Sequence, residues 1–126
     1  MSRMFVPGPV DVADEVLQAQ AAPMLPHRSK EFEAIFRRAS EKSQKLFYTN
    51  YRVFLSASSG TGLQEAAIRN FVNKRVLSIV NGAFADRWHE VAVSNGKDVE
   101  KLSFDWDKPA SPDQIADSVK RGRFEA

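Results

Sequence analysis

The feature that most constrains the fold is an alternation between strand-like runs and segments with helical spacing of apolar residues. Residues 53–55 and 76–80 are short apolar runs rich in strand-forming residues, and residues 99–102 are predicted as a third strand. After each run, apolar residues recur every three or four positions, as on one face of a helix. The order strand, helix, strand, helix, strand, helix predicts an α/β fold with helices packed on a mostly parallel sheet.

The helices are predicted from caps and apolar faces. Ser29 is the expected N-cap of a long helix, and Ser111, followed by Pro112 and Gln114, opens the last helix as a capping box. Asn81-Gly82 and Asn95-Gly96 are the expected turns. The helix before the first turn has the apolar face Leu63, Ala66, Ala67 and Phe71. The helix between the two turns has the apolar face Phe84, Trp88, Val91 and Ala92.

The first 28 residues differ from the rest of the chain. They hold four of the six prolines and show little periodicity, so extended or turning segments are expected there, with a short helix near residues 12–21. The predicted organisation is therefore an N-terminal arm over residues 1–28 and the first part of an α/β domain over residues 29–126.

Composition excludes several classes of function. The 126 residues include no cysteine, so disulfides, thiolate metal sites and cysteine nucleophiles are absent. The net charge is only +2, with acidic and basic residues interleaved, which argues against a nucleic-acid partner. No apolar run approaches the roughly 20 residues of a membrane span, and no secretory leader is visible. A soluble cytoplasmic protein without a bound metal is expected.

The turn over residues 56–62 is the strongest candidate binding site. Small residues lie here between a predicted strand and a helix, where a helix N-terminus offers free N–H groups to an anion. Ser59 and Thr61 add hydroxyl donors, as does the neighbouring Ser58, and Gly60 allows close backbone approach, so a phosphate would fit. The turn matches neither a Walker loop nor a dinucleotide fingerprint. The alternative is a plain capping box, with Thr61 as cap and Gln64 three residues later.

Few other residues suggest chemistry. Phe84 follows the second predicted strand, where an aromatic side chain could stack on a planar ligand or could instead be the first core residue of its helix. His27 and Arg28 lie in a proline-bounded loop, either holding a carboxylate or forming a solvated pair. His89 is predicted to be a surface or packed histidine. The scattered carboxylates suggest no acid and base pair.

In combination, four segments resemble the class V aminotransferases, in the branch that contains the alanine–glyoxylate, serine–pyruvate and phosphoserine enzymes. The resemblance extends from about Met4 to about Gly122, and the segments follow the family's order. They are Pro7-Gly8-Pro9-Val10, residues 27–32 (HRSKEF), residues 59–67 (SGTGLQEAA) with Asn70, and residues 81–88 (NGAFADRW).

The resemblance implies a pyridoxal 5'-phosphate enzyme of the aspartate aminotransferase fold type, acting as a homodimer on an amino acid and a 2-oxo acid. By this match Ser59, Gly60 and Thr61 would hold the cofactor phosphate, and Phe84 would stack on the pyridine ring. Gly8, His27 and Arg28 would line the substrate side or the dimer contact.

The sequence departs from the family in one important respect. The Schiff-base lysine and the aspartate paired with the ring nitrogen belong to later strands of the family's large domain, and none of the eight lysines here matches the lysine motif. The chain therefore resembles the N-terminal portion of such an enzyme, without a catalytic residue of its own and inactive alone. The alternatives are a stand-alone phosphate-binding α/β module and an inactive subunit that acts by association.

Overall fold

A computed structural model describes residues 4–126, which form five α-helices and two β-strands. The elements in chain order are α1 (Asp14–Gln20), α2 (Lys30–Leu46), α3 (Gly60–Phe71), β1 (Arg75–Val80), α4 (Ala83–Ser94), β2 (Asp98–Ser103) and α5 (Pro112–Arg121). None of the helices in this part of the chain combines the length and the apolar character needed to cross a membrane.

The chain divides into two compact units, Met1–Leu55 and Ser56–Ala126. In the first, α2 begins as predicted, because the hydroxyl of Ser29 accepts a hydrogen bond from the Phe32 amide at 3.1 Å. The short helix predicted in the proline-rich segment is α1. The predicted boundary between arm and domain after residue 28 concerns the organisation of a longer protein and stays a prediction.

The second unit is built on a parallel pair of strands joined by α4. β1 and β2 pair in register from Arg75 opposite Asp98 to Val80 opposite Ser103. Parallel strands need a crossover connection, and α4 provides it. The predicted α/β fold with a parallel sheet is therefore confirmed.

The core of the second unit fixes the direction of its helices. Ile68 and Val72 at the end of α3 pack with Val76 at the start of β1, and with Val91 and Ala92 in the last turns of α4. Because these late helical residues meet the beginning of the strand, the N-termini of α3 and α4 both lie toward the carboxyl ends of the strands. This is the edge at which open α/β sheets bind ligands.

The outer edge of β1 is partly covered by the end of the chain. The Glu125 amide donates to the Arg75 carbonyl at 3.0 Å, and the Leu77 amide donates to the Ala126 carbonyl at 3.0 Å. The Glu125 carboxylate also accepts hydrogen bonds from the amides of Asn73 and Lys74. These contacts place the last residues beside the first half of β1.

Two predictions of local structure are wrong. Residues 53–55 do not form a strand, because a strand requires a hydrogen-bonded neighbour and the described residues supply none for them. The face of α3 is also shifted, since Ile68 is its buried residue while Leu63 and Phe71 are exposed. The sequence of a short apolar run does not decide whether it pairs as a strand, and the sequence of a short helix does not decide which face is buried. Both depend on the packing partners.

Candidate anion-binding site

The N-terminus of α3 is capped by Ser59. Its hydroxyl oxygen accepts a hydrogen bond from the Gly62 amide at 3.1 Å, and its carbonyl accepts from the Leu63 amide at 3.3 Å. The capping box with Thr61 as cap is therefore wrong, because α3 starts two residues earlier and Thr61 lies inside its first turn. The available signal for this start was Ser59 directly before Gly60, because serine is a preferred N-cap residue.

Several donors at this helix start have no partner within the described part of the chain. The amides of Gly60 and Thr61 precede the first possible intrahelical acceptor and find no other. The Ser59 hydroxyl accepts from Gly62 and keeps its proton for another acceptor, and the exposed Thr61 hydroxyl is unbonded. Two amides and two hydroxyls therefore face outward at one helix end.

The two glycines of the turn have different surroundings. A Cβ atom added at Gly60 would meet nothing within 4 Å, whereas one at Gly62 would lie 3.4 Å from the Ser58 hydroxyl oxygen. Ser58 itself is bonded locally, to the Ser56 hydroxyl at 3.0 Å and the Ser59 carbonyl at 3.2 Å. Space is therefore open beside Gly60, whose amide is one of the free donors.

This donor set fits a phosphate ester. A phosphate is an acceptor with several oxygens and a negative charge, and it gains both from direct N–H and O–H donors and from the helix dipole. The N-terminus of a helix carries roughly half a positive charge. The residues present therefore suit the phosphate of the pyridoxal cofactor that the sequence resemblance implies.

Phe84 lies in the first turn of α4, after Asn81-Gly82 ends β1. Phe84 is 70% exposed, so the alternative that it begins the core face of α4 is wrong. Because the N-termini of α3 and α4 share the carboxyl edge of the strands, the structure brings Phe84 to the same edge as residues 59–61. An exposed aromatic ring at the same sheet edge as an anion site suits a planar ligand that carries a phosphate.

An ion pair joins the first turn of α4 to β2. The Lys101 ammonium lies 2.6 Å from a carboxylate oxygen of Asp86. The hydrogen bond from Lys101 lowers the pKa of the Asp86 carboxyl below its ordinary value of 3.8. Nothing in the local sequence indicates this pair, because its members are fifteen residues apart and meet only when α4 packs on the sheet.

The remaining predicted site residues belong to the first unit. Gly8 lies in the proline-rich segment, and His27 and Arg28 are exposed in the turn that precedes α2. The Ser29 amide donates to the Pro26 carbonyl at 2.9 Å across this turn. The substrate-side role predicted for the three residues stays a prediction. His89 is half-buried on α4, and its Nδ1 has no partner among the described residues.

The known proteins to which the chain is similar include aminotransferases. The chain is 34% identical over 117 residues to an uncharacterized aminotransferase of Helicobacter pylori, covering 93% of this chain and 31% of the relative. It is 31% identical over 122 residues to the serine–glyoxylate aminotransferase of Methylorubrum extorquens, covering 94% and 30%. No family model matches the chain.

The same group appears among solved structures. The alanine–glyoxylate aminotransferase of Nostoc sp. superposes with a TM-score of 0.86 at 26% identity, over 91% of this chain and 31% of that one. The chain therefore spans about a third of the length of the proteins to which it is similar.

Proposed function

We propose that this chain, a homologue of class V aminotransferases, is the N-terminal, cofactor-phosphate-binding portion of a pyridoxal-phosphate-dependent aminotransferase. The complete enzyme would move an amino group between an amino acid and a 2-oxo acid. The single observation that carries the proposal is the start of α3, where the amides of Gly60 and Thr61 and the hydroxyls of Ser59 and Thr61 have no partner in the described chain.

Each site residue has a distinct part in this proposal. Ser59, Gly60 and Thr61 bind the cofactor phosphate and thereby fix one end of the ligand, while Phe84 covers one face of its ring. When bound, the cofactor supplies an electron-withdrawing ring that stabilises negative charge next to the amino group. The residues described here bind and orient the ligand, and the aromatic ring also excludes water from the covered face.

Other parts of the proposal rest on the family resemblance. Gly8, His27 and Arg28 would lie on the substrate side or at a dimer contact. The chain alone would be inactive, since none of its lysines matches the family's cofactor-binding lysine. We also propose that the chain forms a homodimer or binds a complementary chain, and that it is cytoplasmic. Residues 1–28 would form an arm ahead of the cofactor-binding domain.

The test is a titration of the chain with pyridoxine 5'-phosphate, followed by amide NMR. This probe has the ring and phosphate of the cofactor but no aldehyde, so it cannot react with surface lysines. We expect the Gly60, Thr61 and Gly62 amides to respond. Thr61→Ala removes one donor and should weaken binding by about 0.5–1.5 kcal/mol, roughly two- to tenfold.

The matched control is Thr49→Ala, which changes the only other threonine and lies in the first unit. It should leave the affinity unchanged. A response of the same amides to pyridoxine without phosphate would contradict the proposal. So would a Thr61→Ala variant that binds the probe as tightly as the unmodified chain.

A further inference from the structure

We propose that Lys101 and Asp86 are a positioning pair, which holds the first turn of α4 so that Phe84 meets the ring of the ligand. The inference rests on the function proposed above and adds two residues to it. Neither side chain is assigned a contact with the ligand. Their role would be to fix the backbone that carries the aromatic ring.

The geometry of the sheet brings the two residues together. Lys101 lies opposite Ser78 in the register of β1 and β2, two residues beyond the Val76 and Val99 pair. Side chains two apart on a strand share a face, so Lys101 lies on the face against which α4 packs. There its ammonium reaches Asp86, two residues after Phe84, at 2.6 Å.

The Lys101–Asp86 pair ties the first turn of α4 to the sheet through side chains. The N-cap of α4 is Gly82, which has no side chain to cap the helix. Phe84 is 70% exposed, so core packing does not fix the ring either. The position of the ring therefore depends on the backbone of this turn, and the Lys101–Asp86 pair connects that backbone to β2.

The charges around Asp86 favour the ionised form that the pair requires. Asp86 lies in the first turn of α4, where the helix dipole favours a negative charge. Besides Lys101, His89 and Arg87 are the groups whose charges lower the pKa of the Asp86 carboxyl. The alternative is that Lys101 only blocks pairing with another strand, as inward-pointing lysines of edge strands can do. That role would leave ligand affinity unchanged.

The experiment compares two probes on the full chain by amide NMR. Pyridoxine 5'-phosphate uses both the phosphate site and the ring contact, whereas inorganic phosphate uses only the phosphate site. Lys101→Met should weaken binding of pyridoxine 5'-phosphate by about two- to tenfold, the range expected for an aromatic contact. It should leave the affinity for inorganic phosphate unchanged, which distinguishes lost positioning from general loss of structure.

Three further variants sharpen the test. Lys101→Arg retains the cation and should bind pyridoxine 5'-phosphate like the unmodified chain. Lys108→Met removes another lysine–aspartate pair, with Asp105, at the same 2.6 Å distance, and should have no effect. The double variant Lys101→Met with Phe84→Ala should bind no more weakly than Phe84→Ala alone, because the pair acts only through the ring.

The outcomes separate the inference from the proposed function. If Phe84→Ala weakens binding of pyridoxine 5'-phosphate but Lys101→Met does not, the positioning pair is refuted and the proposed ring contact stands. If Lys101→Met weakens both probes equally, the pair is merely structural and the inference fails. If Phe84→Ala has no effect, the proposed role of Phe84 and this inference both fail.

Discussion

At the scale of single residues, Ser59 determines much of the candidate site. Its hydroxyl oxygen accepts the hydrogen bond of the Gly62 amide, so α3 can start at Gly60. This start places the amides of Gly60 and Thr61 at the exposed end of the helix. The Ser59 hydroxyl is bonded to Gly62, so it does not occupy either amide. One hydroxyl therefore both begins the helix and keeps a proton for a bound anion.

A pH prediction belongs to Asp86. Its pKa in the folded chain lies below 3.8, chiefly because Lys101 donates a hydrogen bond to the ionised carboxylate. A carboxyl whose pKa is lowered by folding stabilises the fold above its unfolded pKa of about 3.9, and this contribution disappears as the pH falls through the lower, folded value. The Lys101–Asp86 pair should thus separate at a lower pH than the one at which an unpaired aspartate protonates.

The measurement is a carbon NMR titration of the Asp86 carboxyl in the folded chain. Lys101→Met should raise the midpoint toward the ordinary aspartate value, whereas Lys108→Met should leave it unchanged. A midpoint in the unmodified chain at or above the midpoint in the Lys101→Met variant would contradict the prediction.

At the scale of elements, α4 connects the core to the candidate site. Its last turns bury Val91 and Ala92 against β1, while its first turn carries Phe84 and Asp86 at the opposite end. A helix of twelve residues is about 18 Å long. Packing at one end therefore sets the direction in which the other end projects.

The core prediction compares two valines of α4. Val91 is 8% exposed and belongs to the core, whereas Val93 is 52% exposed. Val91→Ala should lower the free energy of unfolding by about 2 kcal/mol, from lost apolar burial and the cavity left behind. Val93→Ala, with the same chemical change on the same helix, should stay within about 0.5 kcal/mol of the unmodified chain. Urea denaturation measures both values, and equal losses would show that α4 is packed differently.

At the scale of the whole molecule, the chain leaves much apolar surface uncovered. Large side chains in both units are mostly exposed, among them Met24, Tyr48, Tyr51, Phe54 and Phe71. The sheet has two strands, and the outer edge of β2 has no hydrogen-bonded partner among the described residues. Exposed apolar surface and free strand edges both favour association.

We therefore expect the chain to self-associate or to bind a complementary chain. Light scattering coupled to size-exclusion chromatography should show a mass above 14.1 kDa that falls on dilution. Replacing Tyr51 and Phe54 with serine should lower the association if this aromatic surface contributes. A monomer at every concentration would contradict the expectation and favour a stand-alone module.

The sequence by itself determined most of the second unit. Local signals identified β1, α4, β2 and α5, because a buried strand, two Asn-Gly turns and the Ser111 cap each depend on neighbours in the chain. Local sequence and the resemblance together predict a phosphate site at the Ser59 turn and a ring contact at Phe84, and these roles stay predictions. The relatives found by comparison are aminotransferases. These features follow from residues that are close together in the sequence.

Only the tertiary structure decided the rest. It showed that residues 53–55 form no strand, that Ile68 is the buried residue of α3, and that Phe84 is exposed. It also brought Asp86 and Lys101 together across the α4–β2 packing. The physical reason is common to all four, since strand pairing, burial and ion pairing depend on distant partners whose positions are set by the packing of whole elements.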